Sequence, residues 1–110
     1  MSSSKSCKVV AYFSIVPVGL ESTSMGSYVA DAIAAMNKVK GIISEITPMG
    51  TVMEADSLEV ILKTVKTAHE AMAGKGILRI ESTLLIDDRR DKPRNMQDKV
   101  SAVKKYLEQV

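Results

Sequence analysis

Three short stretches carry the residues most able to do chemistry. Thr47-Pro48-Met49-Gly50-Thr51 sets two hydroxyls on either side of a turn, and Glu54 follows at the end of the next apolar run. Ser22-Thr23-Ser24 places hydroxyls ahead of a helical pattern, where free backbone amides suit a polar or anionic group. Asp87-Asp88-Arg89-Arg90-Asp91-Lys92 packs three acids and three bases into six residues. Together they suggest a small-ligand site and a charged junction on one fold. They do not show a reaction, and no residue is singled out as catalytic.

Each stretch also has a plainer reading. Thr47 and Thr51 fit ordinary β-propensity and turn chemistry. Glu54 fits a strand-end carboxylate in water or in a salt bridge. The serines and threonine fit an N-cap for the first helix. The charged run reads as a solvated loop, an inter-subunit salt-bridge network, or an anion site built on Arg89 and Arg90. The network is favoured, because charges of both signs between a strand and a capped helix are readily satisfied across a symmetric interface. Three aspartates invite a metal, but the interleaved cations compete for the carboxylates, so no metal site is expected.

His69 is the single histidine, and no second His or Cys stands at ligand spacing from it. It is expected as a partly buried residue of a helix. Cys7 shows no sign of activation. No glycine-rich phosphate loop, Ser-His-Asp set or deaminase-type motif is present, and no cofactor is expected.

Composition narrows the function classes. At 110 residues the chain is long enough for one core and not for two. Net charge is +2, too small to point to nucleic acid or an anionic membrane. Aromatic residues make up 4% of the chain, so platforms for stacking bases are scarce. No apolar run approaches the roughly 20 residues that span a bilayer. A lone cysteine fits a reducing compartment, and a cytoplasmic location is expected. Residues 1–7 are read as a flexible tail before a single domain, 8–110.

The elements that must position these residues follow from periodicity. Lys8 to Val16 alternates apolar residues on both faces and predicts a strand ended by Pro17-Val18-Gly19. Met25 to Val39 carries Val29, Ile33 and Met36 at helical spacing. Ile42 to Thr47 and Gly50 to Glu54 predict a hairpin. Asp56 is read as N-cap of a second helix, with Glu59 reaching back and a stripe of Leu58, Ile61, Leu62, Val65, Ala68 and Met72. Ile77 to Ile86 is the fourth strand, with Leu78, Ile80, Leu84 and Ile86 on one face. Asn95 and Asp98 form a capping box for a third helix with stripe Met96, Val100, Val103 and Leu107.

The order βαββαβ with an extra C-terminal helix is an α+β, ferredoxin-like sandwich. Both of its first two helices cover one face of the sheet. The other face is expected to carry Tyr12, Val16, Thr51, Met53, Arg79 and Thr83, and to pack in a homo-oligomer.

The motifs Val16-Pro17-Val18-Gly19, Ser22-Thr23-Ser24, Thr47 to Glu54, Ala68-His69-Glu70-Ala71, Asp87 to Pro93 and Asp98-Lys99-Val100 resemble the YkoF-like thiamine-binding protein family over residues 8 to 108. The resemblance implies a ferredoxin-like fold, homodimers or homotetramers joined through the sheets, and thiamine or its hydroxymethylpyrimidine portion as ligand. Thiamine joins a cationic thiazolium to an aminopyrimidine. Glu54 would then accept from the amino group or balance the cation. Thr47, Thr51 and the Ser22, Thr23, Ser24 loop would bond the ring edges, in a pocket formed by sheet, loop and hairpin. A non-catalytic binder is therefore expected. An enzyme of thiamine-related metabolism, and an oligomeric regulatory or interaction module without a small ligand, are the alternatives.

Overall fold

The computed structural model describes residues 7–22, 25–93 and 95–109. Seven elements follow the expected order: β1 (Val9–Val18), α1 (Gly26–Met36), β2 (Ile43–Thr47), β3 (Gly50–Ala55), α2 (Leu58–Ala73), β4 (Arg79–Asp88) and α3 (Met96–Leu107). The four strands form one antiparallel sheet in the order β2-β3-β1-β4. This is the α+β, ferredoxin-like arrangement, with α3 added at the end.

The alternation in β1 decides which way everything faces. Val9, Ala11, Phe13 and Ile15 are buried, and the residues between them are half-buried. The odd residues meet α1 and α2, whose Ala32, Met36, Ile61, Ala68 and Met72 complete the core. Thr64 is also fully buried, and its hydroxyl donates to the Val60 carbonyl within α2 at 2.8 Å. A buried hydroxyl satisfied inside its own helix adds volume to the core without an unmet polar group.

Register corrects several expectations. Phe13 stands opposite Thr51 and Ala11 opposite Met53, so Thr51 and Met53 share the helix-covered face. A slip of one residue in reading the hairpin reverses every side chain of β3. The open face carries Tyr12, Val16, Arg79 and Thr83 as expected, with Val10, Ser14, Val52 and Glu54 rather than Thr51 and Met53. β1 does not stop at Pro17 but runs to Val18, since β3 has already ended alongside it and the ring displaces no β3 ladder bond. Leu78 lies before β4 and is 100% exposed, while Ile77 is buried in its place. The chain turns at Gly76, whose φ of 89° favours glycine.

The helices differ from expectation mainly at their ends. Ser57, not Asp56, caps α2 by accepting from the Val60 amide, because Asp56 is held in an ion pair with Lys8. Within α2 the side chain at 62 points outward and Thr64 takes the buried position. Met25 occupies the N-cap of α1 with no side-chain cap hydrogen bond. Asn95 and Asp98 do form the expected capping box on α3, at 2.9 and 3.0 Å.

α3 adds no third layer. The molecule measures 48 × 41 × 17 Å, with a radius of gyration of 15.9 Å, against about 13 Å for a compact domain of this length. Met96 is buried at the root of α3, and the rest of its expected stripe, Val100, Val103 and Leu107, is exposed together with Tyr106.

Adjacent positions on α2 test this packing. Ile61→Ala should lower the unfolding free energy by about 2–5 kcal/mol through the cavity it leaves. Leu62→Ala should change it by no more than about 0.5 kcal/mol. Urea unfolding of both variants measures the difference.

Candidate functional site

A cavity of about 220 Å³ opens between α1, the far half of β1 and the β2–β3 hairpin. Its existence follows from strand lengths. β1 has ten residues and β3 six. Their pairing ends at Phe13 opposite Thr51, so β1 continues without a neighbour on that side. Ser14, Ile15 and Val16 of this overhang line the cavity. In an antiparallel ladder alternate residues turn N–H and C=O to opposite sides, so the backbone groups of the overhang that β4 does not take have no β3 partner at the cavity wall.

The floor is apolar: Phe13, Ile15, Val29, Ile33 and Met36. The hairpin forms the opposite wall. There Thr47 is occupied by the turn itself. Its hydroxyl accepts from the amides of Met49 and Gly50 at 3.3 and 3.2 Å and donates to the Gly50 carbonyl at 2.7 Å. The plainer reading of Thr47 therefore describes its hydroxyl, although the residue does line the cavity. Thr51 is 4% exposed and also lines the cavity. Among the described residues no hydrogen bond engages its hydroxyl, which leaves it able to donate to or accept from a ligand.

The other candidates are not brought to this cavity. Glu54 is on the open face of the sheet, opposite Val10 on one side and Ile43 on the other. It is 7% exposed, and its Oε2 is buried with no hydrogen-bond partner. The parity of β3 separates it from Thr51: three residues apart means opposite faces. Ser22 is exposed and is not among the described residues that line the cavity. Thr23 and Ser24 lie outside the described residues.

Arg89 and Arg90 are engaged within the charged run. Arg89 Nε and Nη2 donate to the two oxygens of Asp91 at 2.8 and 3.4 Å. Arg90 Nε and Nη2 donate to Asp88 at 3.1 and 2.7 Å. Asp87 pairs with Lys99, which ties the start of α3 to the end of β4. Fork-to-carboxylate pairing of this kind is charge-assisted and bidentate. It holds the Asp88 and Asp91 carboxyls below their ordinary range, through the hydrogen bonds from Arg90 and Arg89 respectively. His69 is half-buried on α2, with Nε2 at 2.7 Å from the hydroxyl of Ser82, the ladder partner of Ile15, and does not itself line the cavity. Among the described residues no group of three His, Cys, Asp or Glu is placed to hold a metal ion. Among the described residues no helix is long and apolar enough to cross a membrane.

Sequence reasoning missed the β1 overhang and the contribution of α1. The signal was present in the lengths: a ten-residue strand paired with a six-residue hairpin strand must project beyond it.

Comparison with known proteins matches the thiamine-binding protein family over residues 11–104. The chain belongs to this family. Its relatives include the UPF0045 protein of Methanothermobacter thermautotrophicus, 44% identical over 90% of this chain and 99% of that one. The UPF0045 protein YqgV of Bacillus subtilis is 34% identical over 90% and 97%. Among solved structures, MJ1052 of Methanocaldococcus jannaschii superposes with a TM-score of 0.79 at 38% identity, covering 88% of this chain and 96% of that one. A Thermotoga maritima protein described with a proposed role in thiamine biosynthesis or salvage shares the fold, with a TM-score of 0.71 at 24% identity over 87% and 98%.

The local pairing makes a pH prediction. A carboxylate held below its ordinary value contributes stability above that value, and the contribution is lost as pH falls through the lowered one. In Arg90→Gln the Asp88 carboxyl should titrate at higher pH than in the unaltered protein, while Asp91 stays where it is. Carboxyl NMR titration reads both.

Proposed function

We propose that this family member is a non-catalytic binder of thiamine or its hydroxymethylpyrimidine portion, and that it takes the ring system into the cavity between α1, the β1 overhang and the hairpin. One observation carries the reading: an apolar floor faces strand backbone that has no β3 partner and the Thr51 hydroxyl. A flat heteroaromatic ring needs this combination. Its faces are met by Val29, Ile33 and the exposed Met49, and its ring nitrogens and amino group by backbone and hydroxyl. The methionine thioether adapts to an aromatic ring without a fixed shape. The family assignment and the role proposed for the Thermotoga maritima protein point to the same ligand class.

We propose further that the working form is a homodimer or homotetramer joined through the open sheet face. Val10, Val16, Val18 and Val52 are half-exposed there, and Leu85 is exposed. The exposed apolar side of α3 lies beyond them, and a surface of this character favours burial against a second copy. Glu54 supports the same reading. Its Oε2 is buried with no hydrogen-bond partner, although the Lys8 ammonium acts on the carboxylate electrostatically, and a donor from a second copy would give that oxygen a partner.

Calorimetric titration tests the ligand. Thiamine or hydroxymethylpyrimidine should bind saturably at micromolar concentration. Thr51→Val should weaken binding by about threefold to tenfold, the loss of one hydrogen bond of about 1 kcal/mol. Glu54→Gln should bind as the unaltered protein does. No heat with either compound from the folded protein would sink the ligand proposal. Sedimentation velocity tests the assembly separately: a dimer or larger species is expected, reduced in Val103→Glu, whereas a monomer at tens of micromolar would refute it.

A further inference from the structure

The hairpin tip that walls the cavity has little to fix its position. β1 makes no ladder pair with β3 beyond Phe13, so residues 47–50 project without backbone bonds to the central strand. The Thr47 hydroxyl knits the turn into one unit but ties it to nothing else. What crosses the gap is a side chain from the other side of the sheet.

Tyr12 stands opposite Val52, one residue before Phe13, and therefore points away from the core and the cavity. Its ring leans diagonally along the open face onto Gly50, a reach that diagonal neighbours in an antiparallel pair allow to an aromatic side chain. A Cβ on Gly50 would stand 2.7 Å from Tyr12 Cε1 and 2.8 Å from Cζ and Oη. The hydroxyl then donates to the Met49 carbonyl at 2.5 Å. Gly50 does not have a positive φ, so its backbone would accept alanine. It is the ring that requires glycine there.

We infer that Tyr12 is a positioning residue for the cavity: from the opposite face of the sheet it sets where the hairpin wall stands, without lining the cavity itself. The chain uses one contact to join its two faces. A body seated on the open face over Tyr12 bears on the cavity wall through that ring, and a ligand that moves the wall bears on the open face. The link to affinity rests on the cavity being the ligand site, whereas the link to hairpin position does not.

Two measurements without ligand test the positioning. Hydrogen–deuterium exchange at the amides of Met49, Gly50 and Thr51 should quicken several-fold in Tyr12→Phe and further in Tyr12→Ala, with the Ile80–Ile86 amides unchanged. Equal hairpin exchange in all three proteins would overturn the inference. In a double-mutant cycle, Gly50→Ala should lower the melting temperature when Tyr12 is present and leave it unchanged in the Tyr12→Ala background. An equal drop in both backgrounds would also overturn it. With thiamine as the probe, Tyr12→Phe should weaken binding several-fold while its melting temperature stays near that of the unaltered protein. Absence of thiamine binding in the unaltered protein would count against the ligand proposal alone, since exchange and the cycle still decide the role of Tyr12.

Discussion

The pairing of Phe13 with Thr51 is the constraint on which the rest depends. It ends the β1–β3 ladder four residues after it begins, while β1 continues to Val18. From that point the sheet is open on one side, and the gap is bounded by α1 and the hairpin rather than filled. The same pair fixes the parity of β3. Thr51 and Met53 go to the helix-covered side, and Glu54 goes to the other. One register decision therefore makes a cavity, supplies it with a hydroxyl and removes the carboxylate from it.

The two faces of the sheet have different jobs as a result. The helix-covered face holds the core at its centre, where Phe13, Met36, Met53, Ile61 and Met72 are fully buried, and a cavity at its end. The open face is half-apolar, with a buried carboxylate and no helix of the described residues laid across it. α3 does not turn back across that face. It is fixed at its root by the capping box and by the Asp87–Lys99 pair, and its apolar residues beyond Met96 face outward. The short charged run before it is internally matched, each guanidinium taking the carboxylate two residues away. This local pairing leaves both arginines with carboxylate acceptors already in place.

Much of this was readable from local pattern. Alternation in β1 identified Phe13 as core, the helical spacing of Ile61, Ala68 and Met72 identified the buried side of α2, and Asn95 with Asp98 identified a helix start. These succeed because burial on one side imposes a period that sequence preserves. The failures are at positions where two local solutions are nearly equal. Asp56 and Ser57 are both good N-caps, and Lys8, 48 residues away, takes Asp56 out of the competition. Leu62 and Thr64 lie on neighbouring sides of α2, and hydrophobicity favours the wrong one, because a threonine bonded to its own helix is well tolerated inside.

By itself the sequence determined the element order, the α+β sandwich, most of the core and the turn at Thr47–Gly50. These rest on periodicity, capping and turn chemistry, which act over a few residues. Only the tertiary structure decided which of the candidate residues share a site. That depends on the register between β1 and β3, strands some forty residues apart in the chain, where a shift of one position exchanges Thr51 for Val52 and moves Glu54 from one face to the other. It also depends on where β1 outruns its neighbour and where Tyr12 meets Gly50, contacts between distant segments that no local pattern encodes.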